Sequence, residues 1–210
     1  MGRILDPENR FFQAVSWLSD LLGLSLLWIF LSLPLFTCGA ASAALYDSVT
    51  DCVLPRRSGA FTRFFRVFRK SFKAAAVPSL IWAALAFAVW AGGRVLVFMS
   101  AAGEAAATVE LAIFCILLII PAGVLLWQFP LFSRGVTALK ELTGESFRLA
   151  MLYLPRTLIV IACAGLAVWT VWYWWIPALI APVLFTSAQS WLLEPVFRKE
   201  LPDSPAFHKH

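Results

Sequence analysis

FTRFFRVFRKSFK (Phe61–Lys73) is followed directly by AAAVPSLIWAALAFAVWAGGRVLVFM (Ala74–Met99). In the first stretch Phe61, Phe64, Phe65, Phe68 and Phe72 recur at helical spacing. Arg63, Arg66, Lys70 and Lys73 recur at the same period on another side. That pattern predicts an amphipathic helix over about 60–73, with an aromatic face and a basic face. Such a helix suits a bilayer surface rich in anionic lipid, so these four basic residues are candidate lipid-headgroup contacts. The second stretch carries one charge, Arg94. It is longer than the roughly 20 helical residues needed to cross about 30 Å of hydrocarbon. A surface helix leading into a membrane span is the expected local structure.

Composition extends that reading to the whole chain. The 210 residues are 61% hydrophobic and only 14% charged. An average soluble domain is roughly 45–50% apolar and about 25% charged. One soluble core cannot absorb that excess, whereas lipid solvates it from outside. The expected fold is an all-α, polytopic membrane helix bundle forming a single transmembrane domain. It has about five spans, near 16–34, 74–99, 108–130, 156–172 and 176–195, plus short interfacial helices. Pro34 ends the first span, and the small-residue run Ala40–Ala44 suits a short helix at the surface or folded back into the membrane. Residues 131–155 read as helical segments interrupted at Gly144. Trp169, Trp172, Tyr173, Trp174 and Trp175 form an aromatic belt. Asp6-Pro7 reads as a helix start, and 198–210 as a polar tail. No removable signal peptide is expected.

Basic residues then set the orientation. Arg56, Arg57, Arg63, Arg66, Arg69, Lys70 and Lys73 follow the first span; Arg134, Lys140, Arg148 and Arg156 follow the third. Arg198, Lys199 and Lys209 lie in the tail, and the loops after spans two and four carry no Lys or Arg. With five spans, 14 of the 17 basic residues share one side. The positive-inside rule makes that side cytoplasmic and puts the N-terminus outside. A four-span count would put basic loops on opposite faces. The net charge of +5 is thus explained by topology and not by nucleic acid.

Candidate chemistry is sparse. The sequence contains no GxSxG, HExxH, Walker-type loop or CxxC pair. Cys38, Cys52, Cys115 and Cys163 read as packing residues, and His208 and His210 as part of the tail. No catalytic residue, cofactor site or metal site is expected, and the protein is not expected to be an enzyme. Asp47/Asp51 and Glu141/Glu145, at i,i+4 spacing near basic residues, read as solvated helix faces. Ionisable residues at membrane depth are functional candidates by default. Asp20, Arg94 and Glu110 fall near the outer ends of their spans. Asp20 and Arg94 form a candidate intramembrane ion pair, set against Arg94 snorkelling to headgroups and Asp20 touching water. Gln128 and Gln189 lie near inner ends.

Three blocks carry a family resemblance. Leu24–Trp28 and Ser32–Ala41, continuing to Ala43-Ala44-Leu45-Tyr46, resemble the opening block of the YesL-like family, small bacterial membrane proteins grouped as domain of unknown function 624. Phe61–Ala74 resembles its second block, and Trp191-Leu192-Leu193-Glu194-Pro195-Val196-Phe197 its C-terminal end. The chain departs at Ser25 and Ser71, where asparagine is expected. The resemblance implies a multi-pass protein of the bacterial cell membrane with no assigned activity. It also implies an accessory or scaffold role beside a carbohydrate uptake system of the ABC type, with a permease or other membrane subunit as partner. The alternative is a small permease or channel, alone or as a homo-oligomer, with a polar cavity among spans one to three near Asp20, Arg94 and Gln128.

Overall fold

The structure is a computed structural model that describes residues 10–57, 59–102, 105–134, 138–173 and 179–200. Eight α-helices order these residues: α1 (Arg10–Ser32), α2 (Cys38–Ser48), α3 (Ala60–Ala101), α4 (Ala105–Leu117), α5 (Ile119–Ser133), α6 (Leu139–Leu152), α7 (Leu154–Tyr173) and α8 (Ala181–Glu200). The all-α expectation holds. The Asp6-Pro7 helix start, Trp174, Trp175, Pro177 and the tail beyond Glu200 lie outside the described residues.

The largest difference from the sequence reading is in α3. The expected surface helix and the second span are one continuous helix of 42 residues. At 1.5 Å per residue it is about 63 Å long, twice the thickness of a hydrocarbon core. Pro78 is accommodated within it. Ser79 lies beside that proline and returns its hydroxyl to the carbonyl of Ala75 at 2.6 Å.

The second difference concerns α1 and α2. Pro34 and the 3₁₀ turn Leu35–Thr37 reverse the chain. Thr37 Oγ1 donates to the carbonyl of Pro34 at 2.7 Å and also to that of Leu31, which caps the end of α1. α2 then runs back along α1. Trp28 Nε1 meets Ser42 Oγ at 3.1 Å, and Trp17 Nε1 meets the carbonyl of Val53 at 3.2 Å. The five-span reading places Trp17 and the basic turn at opposite ends of a span. Here Trp17 meets Val53, just before that turn, because residues 38–48 return the chain instead of staying at one surface. α2 is able to do this because it is built of small side chains: Ala40, Ala41, Ala43 and Ala44 are all completely buried.

Gly39 marks the closest approach. Its amide donates to Ser79 Oγ at 3.0 Å, and a Cβ at this position would collide with Ser79 and with the ring of Phe129, 2.6 Å away. The α1–α2 hairpin is thereby locked against the first half of α3 and the end of α5. Leu21, Leu24, Leu45, Val49 and Phe64 form one core there, while Tyr46, Trp127, Leu131, Leu149 and Phe197 form a second core beside it.

Prolines punctuate the rest. α4 and α5 meet at Leu118, three residues before Pro121, and backbone bonds from Leu118 to Phe114 and from Ala122 to Leu118 carry the ladder across. α6 and α7 bend by 101° at Tyr153, just before Pro155. Proline disfavours helix at the residue before it and lacks its own donor. Thr157 Oγ1 braces the bend, meeting the carbonyls of Ala150 and Tyr153 at 3.1 Å each. α6 is not interrupted at Gly144. The helix passes through it, with open space where a Cβ would stand.

Among the described residues, Ala60–Ala101 and Ala106–Ser133 are long and apolar enough to cross a membrane. The bent pair α6–α7 makes a third if it counts as one span. The first and fifth expected spans are not in that set. The apolar part of α1 is short, Trp17–Ser32. α8 mixes Thr186, Ser187, Gln189, Ser190 and Glu194 into its apolar residues.

Candidate functional site

The charged residues gather at one end of the bundle, around the start of α3. α2 delivers Tyr46 and Asp47 there, and the π-helical turn Val49–Val53 delivers Thr50 and Asp51. A π turn widens the helix by one residue per hydrogen-bonded ring and is frequent at functional sites. The chain then reverses through Arg56, which has a left-handed φ of 56°, and Gly59, with φ 94°. Only the glycine adopts such an angle without steric cost. The reversal is tied down by the Arg57 amide, which donates to the carbonyl of Cys52 at 2.8 Å.

Two ion-pair groups fill this end. In the first, Arg63 Nε donates to Asp47 Oδ2 at 2.6 Å, and its Nη2 contacts Asp51 Oδ2. Asp47 is only 7% exposed. The reading of Asp47/Asp51 as a solvated face is therefore corrected: the i,i+4 spacing points both carboxylates at one guanidinium on the facing helix.

In the second group, Arg134 at the end of α5 pairs with Glu194 on α8. Arg134 is 5% exposed, and its guanidinium sits 5.9 Å from the Tyr46 ring centre and 6.0 Å from that of Phe197. Tyr46 OH donates to Glu194 Oε1 at 3.4 Å. Burial raises the Tyr46 pKa, partly countered by the Arg134 charge, so the phenol stays protonated and remains a donor. Arg148 and Tyr153 both reach Glu200 at 2.9 Å and close the edge of this end.

Between the two groups opens a cleft of about 550 Å³. One wall is the π turn and reversal, with Thr50, Asp51 and Arg57; the other is α8, with Ser190, Glu194 and Arg198. Arg134 lines it too, and Trp191, 79% exposed, stands at its mouth.

The residues singled out from the sequence divide. Arg63 is not a headgroup contact, since it is the centre of the Asp47–Asp51 group. Arg66, Lys70 and Lys73 are exposed, as expected, and form no ion pair among the described residues. Asp20 and Arg94 are not brought together. Gly23 of α1 lies against Phe61, which puts Asp20 beside the start of α3. Arg94 is 33 residues further along that helix, roughly 50 Å away along its axis. Gln128 is elsewhere again, bonded to Trp82 Nε1 and 3.3 Å from Thr143 Oγ1. Asp20, Arg94 and Gln128 thus share no cavity. Arg134 and Glu194 were missed as site residues. Tyr46 closes the first quoted family block and Glu194 stands in the middle of the last, and the fold brings those two blocks into contact.

The comparisons with other proteins agree with the residue blocks. The family described as "Protein of unknown function, DUF624" matches residues 21–93, which run from the middle of α1 through α2 and most of α3. The chain is 28% identical over 168 residues to the "Uncharacterized protein YesL" of Bacillus subtilis (strain 168), a similarity spanning 78% of each chain. No solved structure matches it. A family match on the segment that carries Tyr46, Asp47, Asp51 and Arg63, and a relative aligned along most of the length, make this chain similar to the YesL-like DUF624 proteins.

Proposed function

We propose that the protein is a multi-pass bacterial membrane component that acts through a partner, as an accessory or scaffold subunit, and catalyses no reaction itself. One observation carries this reading: the segregation of charge along α3. Its first half and the elements around it hold the Asp47–Arg63–Asp51 and Arg134–Glu194 groups. Residues 80–101 and 106–133 together hold one cation and one anion, Arg94 and Glu110. Those apolar segments offer no chain of polar groups for a solute to follow. The carbohydrate-uptake setting, with an ABC-type permease as partner, is supported by the family resemblance alone.

The charged end is the cytoplasmic one in this reading, by the positive-inside rule. Arg57, Arg134 and Arg198 all line its cleft, and the end of α8 closes it. The start of α1 lies at the same end, beside Val53. This favours the start of α1 on the cytoplasmic side, in place of the outside N-terminus expected from five spans. Cysteine accessibility tests the orientation, in a background lacking the four native cysteines. Trp17→Cys and Arg57→Cys react from the cytoplasmic side and Ala102→Cys from the other. Labelling of the first two from opposite sides overturns it. For the role itself, permease or ATPase subunits of a transporter co-purify with the protein from native membranes. Solute flux through liposomes holding only this protein, as a homogeneous homo-oligomer, refutes the accessory role and establishes the permease.

A further inference from the structure

We propose that the cleft between the π turn and α8 is a binding site for a phosphodiester-type monoanion. Three guanidiniums line it, from three separate elements: Arg57 from the chain reversal, Arg134 from the end of α5 and Arg198 from α8. Against them stand two carboxylates, Asp51 and Glu194. Both carboxylates are already held by arginines, Asp51 by Arg63 and Glu194 by Arg134. Three arginines against two carboxylates give the lining residues a net charge of +1, which matches a singly charged oxyanion better than a cation or a neutral solute. Guanidinium forks suit such an anion because they present paired donors to paired oxygens.

The site is built in advance. Arg134 is 95% buried and pinned by Glu194 and by the Tyr46 and Phe197 rings, so its position is fixed before any ligand arrives. The reversal that carries Arg57 is tied by amide bonds to the carbonyls of Val49, Val53 and Cys52. Preorganised donors bind with less ordering cost than mobile surface lysines. The exposed indole of Trp191 and the apolar Leu54 and Pro55 border the same opening. An anion carried on an amphiphile would find apolar contact there, and Trp favours the membrane–water boundary. The phosphodiester has two sources, a lipid headgroup or a soluble phosphate ester, and the test separates them. The inference is independent of the accessory role.

The experiment uses the full chain in a zwitterionic detergent. Phosphatidylglycerol and the chain-free glycerophosphoglycerol are titrated separately, with phosphatidylcholine as control, and binding is read by thermal unfolding and native mass spectrometry. Binding by at least one of the two anionic probes is expected. The Arg57→Gln and Arg198→Gln variants alter exposed residues and leave the core intact. Each weakens binding roughly tenfold or more, the loss expected for a hydrogen bond to a charged group. Lys140→Gln, at the exposed start of α6 and outside the cleft lining, leaves that affinity unchanged. Binding of the lipid alone assigns a headgroup site. Equal binding of both probes assigns a soluble phosphate ester. The proposal is overturned if neither probe binds, or if binding survives in the Arg57→Gln/Arg198→Gln double variant.

Discussion

The two halves of α3 share one helix and have little else in common. Every buried residue of this helix lies in its first half: Ala60, Phe64, Ser71, Ala75, Pro78 and Ser79. The second half presents Ile81, Phe87, Trp90, Val95 and Phe98 outward, the last 77% exposed. The first half also carries the basic residues Arg63, Arg66, Arg69, Lys70 and Lys73, against Arg94 alone in the second. Protein neighbours give the first half its partners. The second half is apolar on its outside and needs an apolar solvent there, which a bilayer supplies. Helical periodicity alone does not tell these situations apart, because it reports which residues share a face and not what covers that face.

Substitutions that separate the halves should differ sharply in cost. The largest loss is expected at the charged end. Arg134→Met leaves Glu194 and the Tyr46 ring without their cation, and breaking a buried pair from one side costs about 3–5 kcal/mol. Thermal unfolding in detergent reads this directly. A loss below about 1 kcal/mol would show that the end is not held by its ion pair.

Glycine gives the cleanest matched test. Gly39→Ala drives a Cβ into Ser79 Oγ and the Phe129 ring, and overpacking of this kind costs about 1–3 kcal/mol. Gly92→Ala meets only a Phe114 carbon at 3.9 Å, so it should gain about 0.5–1 kcal/mol from helix propensity. Opposite signs for the same chemical change would sharpen the contrast between halves; equal signs would break it.

A smaller effect is expected at Asp47→Asn. Arg63 keeps Asp51, so roughly 1–2 kcal/mol of a charge-assisted bond is lost. The companion Asp51→Asn costs less than about 1 kcal/mol, because that carboxylate is more exposed. Denaturant midpoints of the two variants rank them.

How much of this was legible in the sequence follows from distance along the chain. The all-helical class rests on composition and local spacing, and it holds; Phe61–Lys73 is helical, but as the first part of α3 and not as a separate surface helix. The join between residues 73 and 74 was hidden, because a change from amphipathic to uniformly apolar sequence looks like a boundary even where the backbone continues. Burial of Asp47 was hidden for another reason. Its partner Arg63 is 16 residues away, and the spacing of the carboxylates says nothing about a facing helix. The Tyr46–Glu194 contact spans 148 residues and depends on α8 lying against α2. The α1–α2 hairpin could be anticipated only as one of two options, since small residues permit close packing on a neighbour without naming it.

Because α3 runs unbroken from its first residue to Ala101, it also acts as a lever. A tilt of about 10° in a segment about 30 Å long displaces its end by roughly 5 Å, and helices in bilayers commonly tilt by more than that. The α1–α2 hairpin is clamped to the first half through Gly39 and Ser79, one residue past Pro78, so the second half has more freedom to tilt than the first. Pro78, unable to donate into the helix ladder and seated between the two halves, is where the lever can yield.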